Sequence, residues 1–143
     1  MFSANFDGEV ILEIESVMEK YAPMKPIQAG QWLALDELDR IEMVHAFHAR
    51  LDNEMPSDAL SMHSTIHVIV ENQLAMGVEL IHETIAKLIR QGLDRHEAIH
   101  AIGAIISVDI YDMLKGNIQK YSPIRYRKKL EKITAKRWVK GKY

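Results

Sequence analysis

The chain has seven histidines and no cysteine, so any transition-metal site in it must be built from imidazoles and carboxylates. Five of the histidines fall in three short tracts. His96-Glu97-x-x-His100 spells the zinc-protease motif, in which two imidazoles four apart on one helix face hold the ion and the glutamate acts as general base. His63-x-x-x-His67-x-x-x-Glu71 puts two imidazoles and a carboxylate within an arc of about 80° on another helix. His48 stands near the end of a third. These six residues are the candidate ligands, for one or two divalent ions. Zinc suits such a donor set first, with iron, manganese or nickel as the other candidates.

The protease reading is the weaker use of the motif. Asp94 and Glu97 spell a D-x-x-E capping box, with Leu93 at the staple position, which gives Glu97 a structural role at the helix start. A downstream third ligand is missing. Asp109 lies about 180° round the helix from His100, and Asp112 about 120°. Without the protease, His96 and His100 remain a metal-ready pair. His67 and Glu71 sit among Ile66, Val68, Ile69 and Val70, so burial is expected there. A buried carboxylate needs a partner, and a metal is the most economical one. Asn72 and Gln73 can hydrogen-bond the ligands or cap the helix. If a metal-activated water is the nucleophile, hydrolysis is the default chemistry and Glu71 or Glu97 the candidate base.

The elements that must position these residues read as helices throughout. Apolar residues at helical spacing predict helices over 7–21, 35–53 and 57–75. A fourth is expected from Gly77 to Gly92, a glycine suited to ending a helix, and a fifth from Asp94 to Gly116. Pro23, Pro26 and Gly30 read as a loop. Ser122-Pro123 restarts the chain as an N-cap and first helical residue. The fold class expected is all-α, an antiparallel bundle of about five helices with a basic helical C-terminal extension. If the helices run up-down-up-down, those carrying His63 and His96 are parallel, and all five imidazoles fall at one end of the bundle. The two pairs then differ in height by ~6 Å, which helix stagger can absorb. Glu42-x-x-His45 and Glu79-x-x-His82 resemble the ligand pairs of di-iron bundles, but both fall on the polar side of their helices.

With 143 residues, 48% apolar and 27% charged, the sequence is expected to form one globular domain. No signal peptide or membrane-spanning run is evident, so a cytoplasmic location is expected. The net charge of −2 hides a split. Residues 1–116 form an acidic body with 19 acids and 8 Lys/Arg, and residues 117–143 a basic tail with 10 Lys/Arg and one acid. Arg125, Arg127, Lys128, Lys129, Lys132, Lys136 and Arg137, interleaved with Tyr121, Tyr126 and Trp138, suit contact with nucleic acid. The tail can equally fold back on the acidic body of its own chain or of a sister subunit.

In the phrases HSTIHVIVENQLA and GLDRHEAIHAIG the chain resembles a family of small bacterial proteins known only as a domain of unknown function. The likeness covers roughly residues 38–115 and extends to KITAKRW. It implies a helical metal-binding protein with His63, His67, Glu71, His96, His100 and His48 at the site, and it implies no reaction. Three functions therefore compete: a metal-binding protein, with hydrolysis as its chemistry if it is an enzyme; a nucleic-acid or protein interaction module working through the tail; and a structural or oligomerising domain with incidental histidines.

Overall fold

The structure is a computed structural model that describes residues 21–143; the helix expected over 7–21 lies, but for Tyr21, outside them. The described residues form seven helices and no strand. They are α1 (Ala29–Ala34), α2 (Glu37–Leu51), α3 (Ser57–Ala75), α4 (Ile81–Arg90), α5 (Arg95–Leu114), α6 (Pro123–Lys132) and α7 (Ala135–Val139). The all-α expectation holds. The stretch after Pro26 is not all loop, because Gln28 accepts a hydrogen bond from the Gln31 N–H and starts α1. None of these helices is long and apolar enough to cross a membrane.

α5 is the central rod. Ala98, Ile99, Ala101, Ile102 and Ile105 are all buried, over an arc of about 160° at 100° per residue. α4 is one-sided: Ile81, Ile85 and Leu88 bury a single face against it. A second cluster of Tyr21, Trp32, Met43, Val44 and Val68 joins the N-terminal segment to α2 and α3.

Two glycines decide how the chain turns around α4. Gly77 (φ 68°) and Gly92 (φ 108°) take the left-handed conformation that ends a helix. The N–H groups after them close back onto α3 and α4: Val78 donates to the Gln73 carbonyl and Leu93 to that of Leu88. α4 has 10 residues against 19 in α3, about 15 Å against 28 Å. Arg95 at the start of α5 meets Glu71 near the end of α3, while His100 packs on His63 and Gly103 lies against both Ile66 and Val70. α3 and α5 therefore cross, and their contacts follow no single parallel or antiparallel register.

The basic segment is part of the body. Tyr126, Leu130 and Ile133 are buried in the core around α5. Ser122 caps α6 and Pro123 begins it, as expected. Lys129 and Arg125 both reach Asp109, a buried carboxylate on α5, at 3.1 and 3.6 Å.

Candidate metal centre

α2 supplies His48, α3 supplies His63 and His67, and α5 supplies His96 and His100. Their rings form one cluster. Centroids stand 4.5 Å apart for His48 and His67, 4.6 Å for His48 and His63, and 4.9 Å for His63 and His100. His96 lies 4.3 Å from His100 and 5.0 Å from His67. His48, His63, His67 and His100 each offer a ligand atom within 4.8 Å of the other three, close enough to hold a metal ion. Four nitrogens around a tetrahedral zinc stand ~3.4 Å apart. Small side-chain rotations cover the difference.

Hydrogen bonds to the far side of the rings orient them. His48 Nδ1 lies 2.8 Å from the Val44 carbonyl, which can only accept, so Nδ1 carries the proton. His100 Nδ1 donates in the same way to Glu97 Oε1 at 3.1 Å. For His67 the acceptor is the Tyr21 hydroxyl at 2.9 Å, and this hydroxyl in turn donates to Glu71 Oε2 at 2.9 Å. Each arrangement leaves the Nε2 lone pair facing inward. The Nε2 atoms of His48, His67, His96 and His100 are buried and have no hydrogen-bond partner among the described residues.

Burial also sets the charge state. Burial, opposed by the Val44 carbonyl and helped by the nearby His63, His96 and His100, lowers His48 from the usual value near 6.5 to about 4. Burial likewise pushes His63, His67 and His96 below the ordinary histidine range. These rings are neutral at pH 7, the form a metal requires. Burial beside Glu71 raises the Tyr21 hydroxyl above its usual value, so it keeps the proton it donates.

Glu71, expected as a further ligand, is outside this group. It is fully buried, and its partner is a guanidinium: Arg95 Nη2 binds Oε1 at 2.6 Å and Nη1 binds Oε2 at 3.2 Å. The demand for a partner was sound, but Arg95, adjacent to His96 in sequence, meets it. Glu97 is engaged too. Asp94 caps α5 by accepting the Glu97 N–H at 2.8 Å, but the Glu97 carboxylate does not complete the box. It accepts from the Trp138 indole at 3.0 Å and from His100. The Trp138 bond above all, helped by His100, holds Glu97 below the usual carboxylate range. Both Glu97 oxygens are thus already hydrogen-bonded, Oε1 by His100 and Oε2 by Trp138.

Other candidates lie elsewhere. Asn72 accepts from Trp32 and Arg40, and Gln73 from Tyr126, so both fasten α3 to its neighbours. Glu79 pairs with Arg127, and His82 meets the Leu74 carbonyl; neither they nor His45 join the cluster. Of the basic residues, Arg125 and Lys129 pair with Asp109, and Arg127 with Glu79 and Glu131. Lys128, Lys132, Lys136 and Arg137 are exposed. Sequence reasoning missed Tyr21, Arg95 and Trp138 as site residues; only the adjacency of Arg95 to His96 offered a signal.

His63, His67 and His100 also border a cleft of about 490 Å³ between α3 and α5, with Trp138 at its side. No family model, curated protein or solved structure matches the chain, which leaves this constellation as the guide to what it does.

Proposed function

We propose that the chain binds one divalent transition metal, zinc first among candidates, through His48, His63, His67 and His100, with His96 as a fifth donor. The observation that carries this is the set of four buried Nε2 atoms without partners among the described residues, on His48, His67, His96 and His100, three of whose rings have the far nitrogen already committed. A buried unsatisfied polar group costs ~1–3 kcal/mol. Four would cost about as much as a whole domain's stability of ~5–15 kcal/mol. Coordination removes that cost.

One ion fits better than two. Paired metals stand ~3.5–4 Å apart and usually share a bridging carboxylate, whereas Glu71 and Glu97 are both committed to other partners. With four imidazoles bound the ion is saturated and structural; with one of them released it would act as a Lewis acid and lower the pKa of a coordinated water, and hydrolysis is then the chemistry it offers. The chain's own contribution is to hold neutral imidazoles in fixed tautomers. The test is elemental analysis of protein purified without an affinity tag. Near-stoichiometric metal that is lost in His63→Ala and in His100→Ala supports the assignment. Metal-free protein that also takes up no zinc, iron, manganese or nickel on titration overturns it.

Of the candidate basic residues, the second reading, contact with nucleic acid, rests on Lys128, Lys132, Lys136 and Arg137, which are exposed and outside the ion pairs above. Replacing these by serine should abolish salt-sensitive retention of nucleic acid if that reading holds.

A further inference from the structure

The cleft beside the histidines has an unusual wall. His63, His67 and His100 stand along it, and the rest is apolar, with Met62 and Ile66 from α3, Ile99 from α5 and Trp138 from α7. Among the described residues, no Lys, Arg, Asp or Glu lines it. The hydroxyl of Ser107 is already given to the Gly103 carbonyl at 2.8 Å. Gly103 itself must stay bare: a Cβ there would stand 2.8 Å from Ile66 Cγ2, so the glycine sets how closely α3 and α5 approach beneath the cleft. At about 490 Å³ the space falls in the range of ~300–1,000 Å³ in which proteins hold small organic ligands.

We propose that this cleft takes the apolar body of a small, neutral or singly charged ligand whose one metal-binding head sits at the histidines. The inference rests on the metal reading above, with an imidazole released to open the ion to the head. The wall chemistry selects the class. Phosphorylated ligands and sugars need cations or an array of donors, and this wall supplies neither. An acyl chain or aryl group ending in a carboxylate-like head needs only apolar surface and the ion. Burying the body removes apolar area from water, and the ion fixes its orientation.

The test uses zinc-loaded full-length protein and straight-chain hydroxamic acids of increasing length, followed by calorimetry. Acetohydroxamate, with almost no body, reports the ion. Affinity should then rise about fourfold per added methylene until the cleft is filled. Met62 is 56% exposed, so Met62→Glu should leave the fold intact while placing a charge in the cleft. It should weaken octanohydroxamate at least tenfold and leave acetohydroxamate and zinc titration unchanged. Zinc and acetohydroxamate binding with no dependence on chain length would overturn the cleft assignment and leave the metal site standing. A chain-length dependence untouched by Met62→Glu would also overturn it. Failure to take up zinc at all would overturn both.

Discussion

Tyr21→Phe removes one oxygen atom and tests how the site is held. The ring should stay, because it packs on Trp32 and Phe47 at centroid distances of 6.0 and 5.8 Å. The hydroxyl carries two hydrogen bonds of 2.9 Å, to Glu71 and to His67. Glu71 keeps Arg95 on both oxygens. His67, only 2% exposed, loses its sole acceptor among the described residues, and an orphaned buried group costs ~1–3 kcal/mol. For a chain of this size that is a fall in Tm of roughly 3–15 °C. The larger effect falls on the metal. Nothing then fixes the proton on Nδ1, and loss of such an orienting partner lowers affinity ~10–100-fold. Zinc affinity measured against a competing chelator, with calorimetric melting of the metal-free protein, separates the two effects.

Tyr126→Phe is the matched control. Tyr126 is also a buried tyrosine with a single short bond, 2.6 Å to Gln73 Oε1, but it packs in the core away from the histidines. It should cost comparable stability and leave zinc affinity unchanged. Equal zinc affinities for wild type and Tyr21→Phe would refute the idea that the phenol sets the His67 tautomer. A loss of affinity in both variants would show that general loosening, not the tautomer, governs binding.

Acid should destabilise the metal-free protein. His48 is held at about 4, and His63, His67 and His96 are also lowered, while the unfolded chain titrates near 6.5. Their contribution is therefore full above about pH 6.5 and is lost as pH falls toward 4, at ~1.4 kcal/mol per pH unit for each histidine involved; denaturant melts across that range measure it. Zinc uptake at pH 6 should release less acid from these rings than ordinary histidines would, each of which gives up roughly three quarters of a proton; calorimetry in buffers of different ionisation heat distinguishes the two. Deleting 117–143 should abolish cooperative unfolding, because Tyr126, Leu130 and Ile133 together bury side chains worth ~5–9 kcal/mol, so circular-dichroism melts should show no sharp transition. Gly103→Ala should gain up to ~1 kcal/mol of helix propensity yet lose ~1–3 kcal/mol to overpacking against Ile66, and should weaken zinc binding by separating α3 from α5; Ile66→Ala in the same chain should restore the affinity seen by titration.

What the sequence made legible was local. The cap at Asp94, the stop at Gly92 and the start at Ser122-Pro123 follow from residue chemistry within a few positions, and all three hold. The histidines of α3 and α5 announced themselves through i, i+4 spacing. Distant partners were not legible. The residue facing Glu71 depends on how α5 crosses α3, and that depends on the short α4 and its two left-handed glycines. At the crossing His100 faces both His63 and His67, at 4.9 and 5.2 Å, and His67 also faces His96 at 5.0 Å. Pairs spaced i, i+4 keep both imidazoles of each helix on the crossing face, so they gather whatever the relative direction of the helices.

A buried ion pair lies beside the histidines. Glu71 stands one turn past His67 on α3, Arg95 directly precedes His96 on α5, and the two meet. A buried pair of this kind is rarely worth much net stability, since desolvating both charges offsets their attraction. Its value here is positional. Arg95 binds both oxygens of Glu71 and the Pro23 carbonyl, which fixes the carboxylate, the Tyr21 hydroxyl above it and through that the His67 ring. Swapping the pair for apolar residues of similar size should therefore cost metal affinity more than it costs stability. Glu71→Leu with Arg95→Met, compared with wild type by melting and by zinc titration, checks this ordering. A variant less stable than wild type but equal to it in zinc affinity would reverse the assignment and make the pair a structural clamp alone.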